Sequence, residues 1–423
     1  MQKLAIIGSG IAGMGCAYHL HKHYDITVFE RNDYVGGHTN TISVKEEDRD
    51  VYMDTGFMVF NFETYPHLCN LFKEINAPIK KTDMSFSVQH RPSRLEFCGS
   101  GINGLFAQRK NIFSPSYIRM LVQIARFNKE SLEVLDNEAY AGFTVGQYVR
   151  KKGFGEDMLW KYLVPMSSAV WSTPMDQMLD FPITTLVRFF KNHGFLGLNT
   201  QHQWYTLDKG SQSYREILIR PFRERIKVNS EVVKVRRIGQ QVEVVCASGE
   251  SSLFHKVIFA SHANETLAML SDATQTEKRL LMPFKYQKNI AMVHTDESVM
   301  PVNRRTWSSW NYSIADVNGT PEATTVYWMN RLQGVSDKKN YFVSINPLPG
   351  SVSPEKIIRS IEYEHPLFDV AAINAQAELD SLNHGGPVYF CGSYFRYGFH
   401  EDAYASAVKL STYLKQTTTF PEQ

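Results

Sequence analysis

Residues 3–13 read KLAIIGSGIAG and residues 24–30 read YDITVFE. Lys3–Ile7 is a short apolar run stopped by Gly8, the pattern of a strand buried on both faces. A helical pattern follows the glycines and continues to Leu20, and YDITVFE then supplies a second strand ending in Glu30. Strand, GxGxxG, helix, strand and terminal acid in this order predict a dinucleotide-binding unit. Each part has a physical reason. Gly8 allows a tight turn, Gly10 lets a diphosphate approach the backbone, and Gly13 lets helix and strand pack closely. The helix start, with Ile11 and Ala12, offers amide donors and a partial positive charge. Glu30 is placed to accept hydrogen bonds from ribose hydroxyls, which disfavours a 2′-phosphate and leaves FAD or NAD.

The chain outside this unit is long, at 423 residues, so two domains or one domain with a large insertion is expected. Hydrophobic residues make up 43% and charged residues 21%, which is enough apolar material for real cores. A formal net charge of +2 without basic clustering argues against a nucleic-acid partner. The cysteines number 5, form no CxxC pair, and point to a reducing, cytoplasmic setting rather than a disulfide or zinc framework. The first apolar run is broken by glycine and lacks a small-residue cleavage site, so it does not read as a secretion signal. No apolar stretch reaches roughly 18 residues, so no transmembrane helix is expected.

Residues 35–44 read VGGHTNTISV, with Gly36, Gly37, His38 and Thr39 shortly after Glu30 and Arg31. Residues 51–60 read VYMDTGFMVF, with Asp54, Gly56 and Phe57. Together with GxGxxG, these segments resemble the flavin-containing amine oxidase superfamily. The family carries a glycine pair at this distance, usually within R-x-G-G-R, and then a D-x-G segment beside the flavin. The resemblance implies FAD, bound noncovalently and extended, with its adenosine end near Glu30 and Arg31. Here the two arginine positions hold Tyr34 and His38. Arginine would be a permanent bidentate phosphate partner, whereas histidine can be neutral at pH 7. The diphosphate must then lean on backbone amides and the helix terminus. Without a cofactor, the same pair would be only a surface loop.

The same resemblance implies a discontinuous cofactor domain. WYTLDKGSQSY (204–214) leads into a helix. The β-rich block after it places Val233 on the adenine side and ends a strand at Ala260 and Ser261. Near the end, PVYFCG (387–392) reads as a buried strand, and SYFRYGFHED (393–402) as a loop before a final helix rich in small residues. In the family this helix start faces the flavin, so Gly392, Ser393, His400, Asp402 and Ala403 join the expected cofactor contacts. Ser393 stands where an acid is usual. Cys391 and His400 are the suspects if the flavin were covalently linked.

The expected fold is α/β (α+β overall): a Rossmann-like FAD-binding domain of the amine oxidase/glutathione reductase type with an inserted substrate domain. FAD binding is assigned to 1–79, 200–265 and 385–423. The substrate domain is assigned to 80–199, a helical cap, and 266–384, a sheet. LVPMSSAVWST, FFKNHGF, NIAMVHTD, RRTWSSWNY and GFHEDA also resemble a bacterial subgroup of NAD/FAD-binding oxidoreductases associated with cyclopropane fatty acid synthases. That resemblance implies lipid metabolism. The expected reaction is hydride transfer from an apolar organic substrate, first a fatty-acyl or lipid chain, to flavin N5. A small amine is the second substrate. A flavin-dependent isomerase or desaturase, or a non-redox lipid carrier, uses the same motifs.

Candidate catalytic positions are His294 at a predicted strand end, Trp171 in an apolar slot, and Tyr397 and His400 before the last helix. Trp307, Trp310 and Tyr312 are further slot candidates. Lys285 and Lys288 are noted because amine oxidases commonly use a lysine near N5, although nothing in the sequence places either one there. His19, His21 and His23 do not share a helix face and are expected to face solvent, so no metal site is assigned. Residues 115–135 and 183–198 are each apolar along one side. Both are read as packing on the cap's core, with peripheral membrane contact as the alternative. Nothing in the sequence sets an oligomeric state.

Overall fold

The computed structural model describes residues 1–197 and 200–417; residues 198–199, where the first part of the substrate domain is expected to end, and the segment 418–423 lie outside the described residues. A five-stranded sheet is parallel throughout, in the order Ile226–Lys227, Asp25–Phe29, Lys3–Ile7, Lys256–Phe259, Val388–Phe390. Leu4, Ala5 and Ile6 are fully buried, as a strand covered on both faces requires. Their run thus serves as the centre of the sheet. Four strands end along one edge, at Ile7, Phe29, Phe259 and Phe390, and the residues that follow them form the rim of a large cavity.

Helix Ile11–Leu20 leaves this edge directly after Gly10 and packs on the last helix, His400–Thr417. The contact is close because Gly15 has no side chain; a Cβ there would lie 2.9 Å from the Tyr404 ring. The His19 Nε2 and the Tyr404 hydroxyl share a hydrogen bond of 3.0 Å across the same contact. His19, His21 and His23 are all partly buried. This corrects the expectation of solvent-facing rings: His19 serves a helix pair.

A seven-stranded sheet runs in the order Ile357–Leu367, Lys285–His294, Phe342–Ile345, Thr320–Trp328, Trp310–Val317, Phe86–His90, Leu95–Cys98. It is antiparallel except where Trp310–Val317 meets Phe86–His90. A small meander, Val232–Ile238, Gln241–Cys246 and Ser251–Phe254, keeps the alternation expected of a one-faced sheet, with Val242, Val244 and Cys246 buried. Between residues 101 and 192 the chain is helical and shares one core with the meander. Among the described residues no helix is long and apolar enough to cross a membrane.

The two amphipathic segments part company here. Helix Ile183–Asn192 buries Leu186, Val187, Phe189 and Phe190, so the core-packing expectation holds for it. Helix Pro115–Glu130 buries Tyr117, Met120 and Phe127 instead of the expected stripe and leaves Ile118 and Val122 outside.

Candidate active site

At the C-terminal edge of the parallel sheet lies a cavity of about 710 Å³. Open α/β sheets bind ligands at this edge. Gly8, Gly10, Ile11, Ala12, Glu30, Arg31, Gly37, His38, Gly56, Phe57, Val233, Ala260, Gly392, Ser393, His400 and Ala403 all line it. Segments more than 350 residues apart in the chain are thus brought to one wall.

The glycines divide by role. A Cβ on Gly10 would meet nothing within 4 Å, so this residue keeps cavity space open over the unpaired amides of the first helical turn. A Cβ on Gly13 would lie 1.9 Å from the Gly8 carbonyl, so Gly13 joins helix to strand and does not reach the cavity. Gly36 likewise is off the wall, its Cβ position being 2.5 Å from the Thr39 carbonyl. Gly37 has a left-handed backbone, φ 58°, and brings the loop against Gly10.

Glu30 is buried and already engaged. The Ser9 amide and hydroxyl donate to its Oε2 at 3.0 and 2.6 Å, and the Asn32 amide and Nδ2 donate to its Oε1 at 2.9 and 2.8 Å. A carboxylate has about four acceptor sites, so a ribose hydroxyl must share or replace one of these. Its main work in the chain alone is to pin the glycine loop to the second strand.

Besides Gly13 and Gly36, three further expected cofactor contacts are corrected. Thr39 is buried behind the wall, its hydroxyl 2.6 Å from the Tyr214 hydroxyl. Asp54 is buried and ties segments together. It accepts from the Ser211 amide at 2.8 Å, the Ser211 hydroxyl at 2.7 Å, the Thr41 hydroxyl at 2.6 Å and Gln333 Nε2 at 2.8 Å. Burial raises its pKa. Asp402 accepts from the Tyr397 and Phe399 amides at 3.2 and 2.9 Å, and burial pushes its pKa up to about 7. It shapes the loop before the last helix from behind. Cys391 is also off the wall, with its sulfur 3.7 Å from that of Cys16, so the covalent suspicion does not extend to it.

His38 is on the wall. Its ring stacks on Tyr363 with centroids 4.8 Å apart and meets the edge of His365 at 5.1 Å. Its Nε2 is buried without a partner. Desolvation, then the neighbouring His365, His262 and His400, hold its pKa well below the usual value. His262, Tyr363 and His365 also line the cavity. His262 follows the Ala260–Ser261 strand end at once, which is a legible signal. Tyr363 and His365 come from a strand more than 300 residues from His38, and no local pattern marks them. His262, Glu265 and Glu364 bring ligand-type atoms within 4.8 Å of one another; Arg31, 2.5 Å from Glu265, supplies positive charge there.

The other arm of the cavity is aromatic and apolar, lined by Tyr65, Met84, Trp171, Phe189, Phe195, Trp204, Trp310, Tyr327 and Phe399. Trp171 packs on Phe189 at 4.7 Å and donates from Nε1 to the Tyr397 carbonyl at 3.2 Å. Phe189 and Phe399 stack at 4.9 Å. His400 lies flat on Phe57, centroids 3.9 Å apart, and shares a hydrogen bond of 2.6 Å with the Tyr214 hydroxyl. Burial lowers its pKa to about 3. His400 is thus a neutral, weakly basic ring at pH 7, contrary to an acid–base role. His294 is elsewhere: fully buried, 2.8 Å from the Ser344 hydroxyl and accepting from the Asp296 amide at 3.1 Å. It fastens a strand end and is withdrawn as a catalytic candidate. Trp307 and Tyr312 are core residues off the cavity wall, while Trp310 lines it. Lys285 and Lys288 are exposed and paired with Asp369 and Glu362. No lysine stands among the described lining residues.

A dinucleotide fits these residues: Gly10 leaves room where a side chain would intrude, His38 holds an orphaned nitrogen, and helix amides face the loop. The family model for flavin-containing amine oxidoreductases matches residues 11–307. The chain belongs to the flavin-containing amine oxidoreductase family. As a member it is a flavin-dependent oxidoreductase, and FAD is the cofactor the dinucleotide cradle serves. A 15-cis-phytoene desaturase from Synechococcus elongatus is 38% identical over 120 residues, 26% of this chain and 24% of that protein. The match thus spans about a quarter of the length of that relative. Among solved structures, a CLA-producing fatty acid isomerase from P. acnes aligns with TM-score 0.67 and 12% identity over 99% of both chains. Cyclohexylamine oxidase from Brevibacterium oxydans IH-35A aligns with TM-score 0.68 and 14% identity, over 98% of this chain and 99% of that one. At such identities these two likenesses concern the fold.

Proposed function

We propose that this flavoenzyme takes an electron pair from an apolar organic substrate, with a fatty-acyl or other lipid chain as the first candidate. The aromatic arm of the cavity carries the reading. Trp171, Phe189, Phe195 and Phe399 present ring faces and edges suited to a hydrocarbon and exclude water from the reacting region. The absence of lysine among the described lining residues ranks a small amine second. The sequence likeness to a subgroup associated with cyclopropane fatty acid synthases favours lipid in the same direction. We place the substrate domain in residues 80–199 and 266–384 and the protein in the cytoplasm, where its five cysteines, all free, remain reduced.

When bound, FAD supplies the two-electron redox capacity. The chain positions it and selects what reaches it. Gly10 and Gly37 would let backbone approach its diphosphate. Phe57 and His400 form a stacked pair on the wall, and the Trp171 indole holds the Tyr397 carbonyl so that the loop before the last helix keeps its shape.

The test is a visible spectrum of the purified protein, then anaerobic addition of fatty acids, their esters and a panel of amines. Bleaching of the flavin with one oxidised product per flavin supports the reading if the fatty-acyl compounds cause it. Bleaching by amines alone moves the second candidate to first. Conversion of a lipid without bleaching or net oxidation indicates an isomerase. A protein that stays colourless after FAD is added indicates a non-redox lipid carrier and refutes the proposal.

A further inference from the structure

Helix Pro115–Glu130 is apolar on two opposite sides. One side holds Tyr117, Met120 and Phe127 in the core. The other holds Ile118 and Val122, four residues apart and therefore on one face, exposed by 39% and 61%. The residues leading into the helix extend this surface. Phe113 is 87% exposed, Ile112 49% and, earlier, Ile102 76%. Folding leaves these side chains in water. A surface recess beside the helix is formed by Ile112, Phe113, Ile118 and Val122 with the flanking Arg119 and Arg126.

Along the chain, the charges from residue 101 to residue 129 have one sign. Residues 101–129 contain Arg109, Lys110, Arg119, Arg126 and Lys129 and no aspartate or glutamate. Arg109, Lys110, Arg119 and Lys129 are exposed, and none of the four takes part in a salt bridge among the described residues. Arg126 is the exception, paired with Glu130 at 2.9 Å. Acids and bases are nearly balanced over the whole chain, 43 against 45, so a stretch with five cations and no anion is a local choice. Apolar side chains at the centre and unpaired cations at the margin match a bilayer interface, where acyl chains lie beneath a layer of phosphates.

We propose that this surface docks the enzyme on an anionic lipid bilayer, with Phe113, Ile118 and Val122 entering the acyl boundary and Lys110, Arg119 and Lys129 meeting headgroup phosphates. The proposal is independent of which molecule is oxidised. It uses no residue of the cavity, so its failure and that of the substrate reading are separable.

The FAD-loaded full-length chain is sedimented with vesicles of phosphatidylcholine alone or mixed with phosphatidylglycerol. Wild type is expected to pellet with the mixed vesicles and to be released by high salt. Phe113→Ser combined with Val122→Ser, and separately Lys110→Glu combined with Arg119→Glu, should each weaken binding by about tenfold or more. Flavin absorbance unchanged in both pairs shows that the fold and cofactor site survive. No pelleting with mixed vesicles overturns the proposal, as does pelleting that neither pair reduces. Concentration-dependent dimerisation that Phe113→Ser abolishes, without vesicle binding, also overturns it and assigns the surface to a second copy of the chain.

Discussion

Replacing Gly10 by valine should abolish FAD binding and leave the fold intact. The residue caps the first helix with φ −61° and ψ 178°, a backbone open to any side chain. Its Cβ would meet nothing within 4 Å. The folded chain therefore gives up only the preference for glycine over a β-branched residue at a helix cap, about 1 kcal/mol. The cofactor meets a different situation, because the new methyl groups stand where a diphosphate must approach the helix amides. Charge-assisted hydrogen bonds are worth about 1.5–3 kcal/mol each, and losing two raises Kd by about two to four powers of ten. The assay has two readouts: quenching of FAD fluorescence on titration with apoprotein, and the melting temperature of the apoprotein. Gly13→Val serves as the contrast. Its Cβ would lie 1.9 Å from the Gly8 carbonyl, so it should lower the apoprotein melting temperature itself. If Gly10→Val binds FAD within about threefold of wild type, the cofactor does not lie over the first helical turn and the site has been misread.

Three other substitutions probe different parts of the structure. His38→Arg should tighten FAD binding about tenfold at pH 7, because arginine is charged without having to gain a proton. In wild type the affinity should rise as pH falls, since the desolvated His38 takes up a proton beside the diphosphate; titrations at two pH values that show equal affinity count against this. His294 is neutral in the folded chain, with its pKa lowered by burial from 6.5 to about 4. The unfolded chain binds the proton first, so stability is full above pH 6.5 and falls toward pH 4. His294→Gln should remove about 2 kcal/mol of that loss at pH 5, read as a flatter dependence of the urea midpoint on pH. Asp54→Ala strands the Ser211, Thr41 and Gln333 donors and should cost about 3–5 kcal/mol; an unchanged midpoint would show that these segments hold together without it.

What could be read from the sequence follows the range of the interactions. GxGxxG, Glu30 and the glycine pair are legible because strand, turn and helix form within thirty residues and each glycine answers to a local steric demand. The last helix is legible through its family resemblance, since Gly392, Ser393, His400 and Ala403 all reach the wall. Thr39, Asp54 and Asp402 sit in the right segments but face the wrong way. Position along a chain does not fix on which side of a loop a side chain lies, and a short polar residue beside a cofactor segment is as useful for holding the loop as for touching the ligand. Tyr363 and His365 were beyond reach for the opposite reason. Their strand carries no motif, and only the pairing of Ile357–Leu367 at the edge of the seven-stranded sheet sets them against His38. The histidine that departs from the family's arginine thus finds its explanation outside its own segment. An arginine is held by the charge of the anion it meets, whereas His38 is flanked by Tyr363 and His365 and keeps a flat ring between them. The histidine and the far strand form one arrangement, and replacing Tyr363 or His365 alone should disturb the diphosphate end of the cavity.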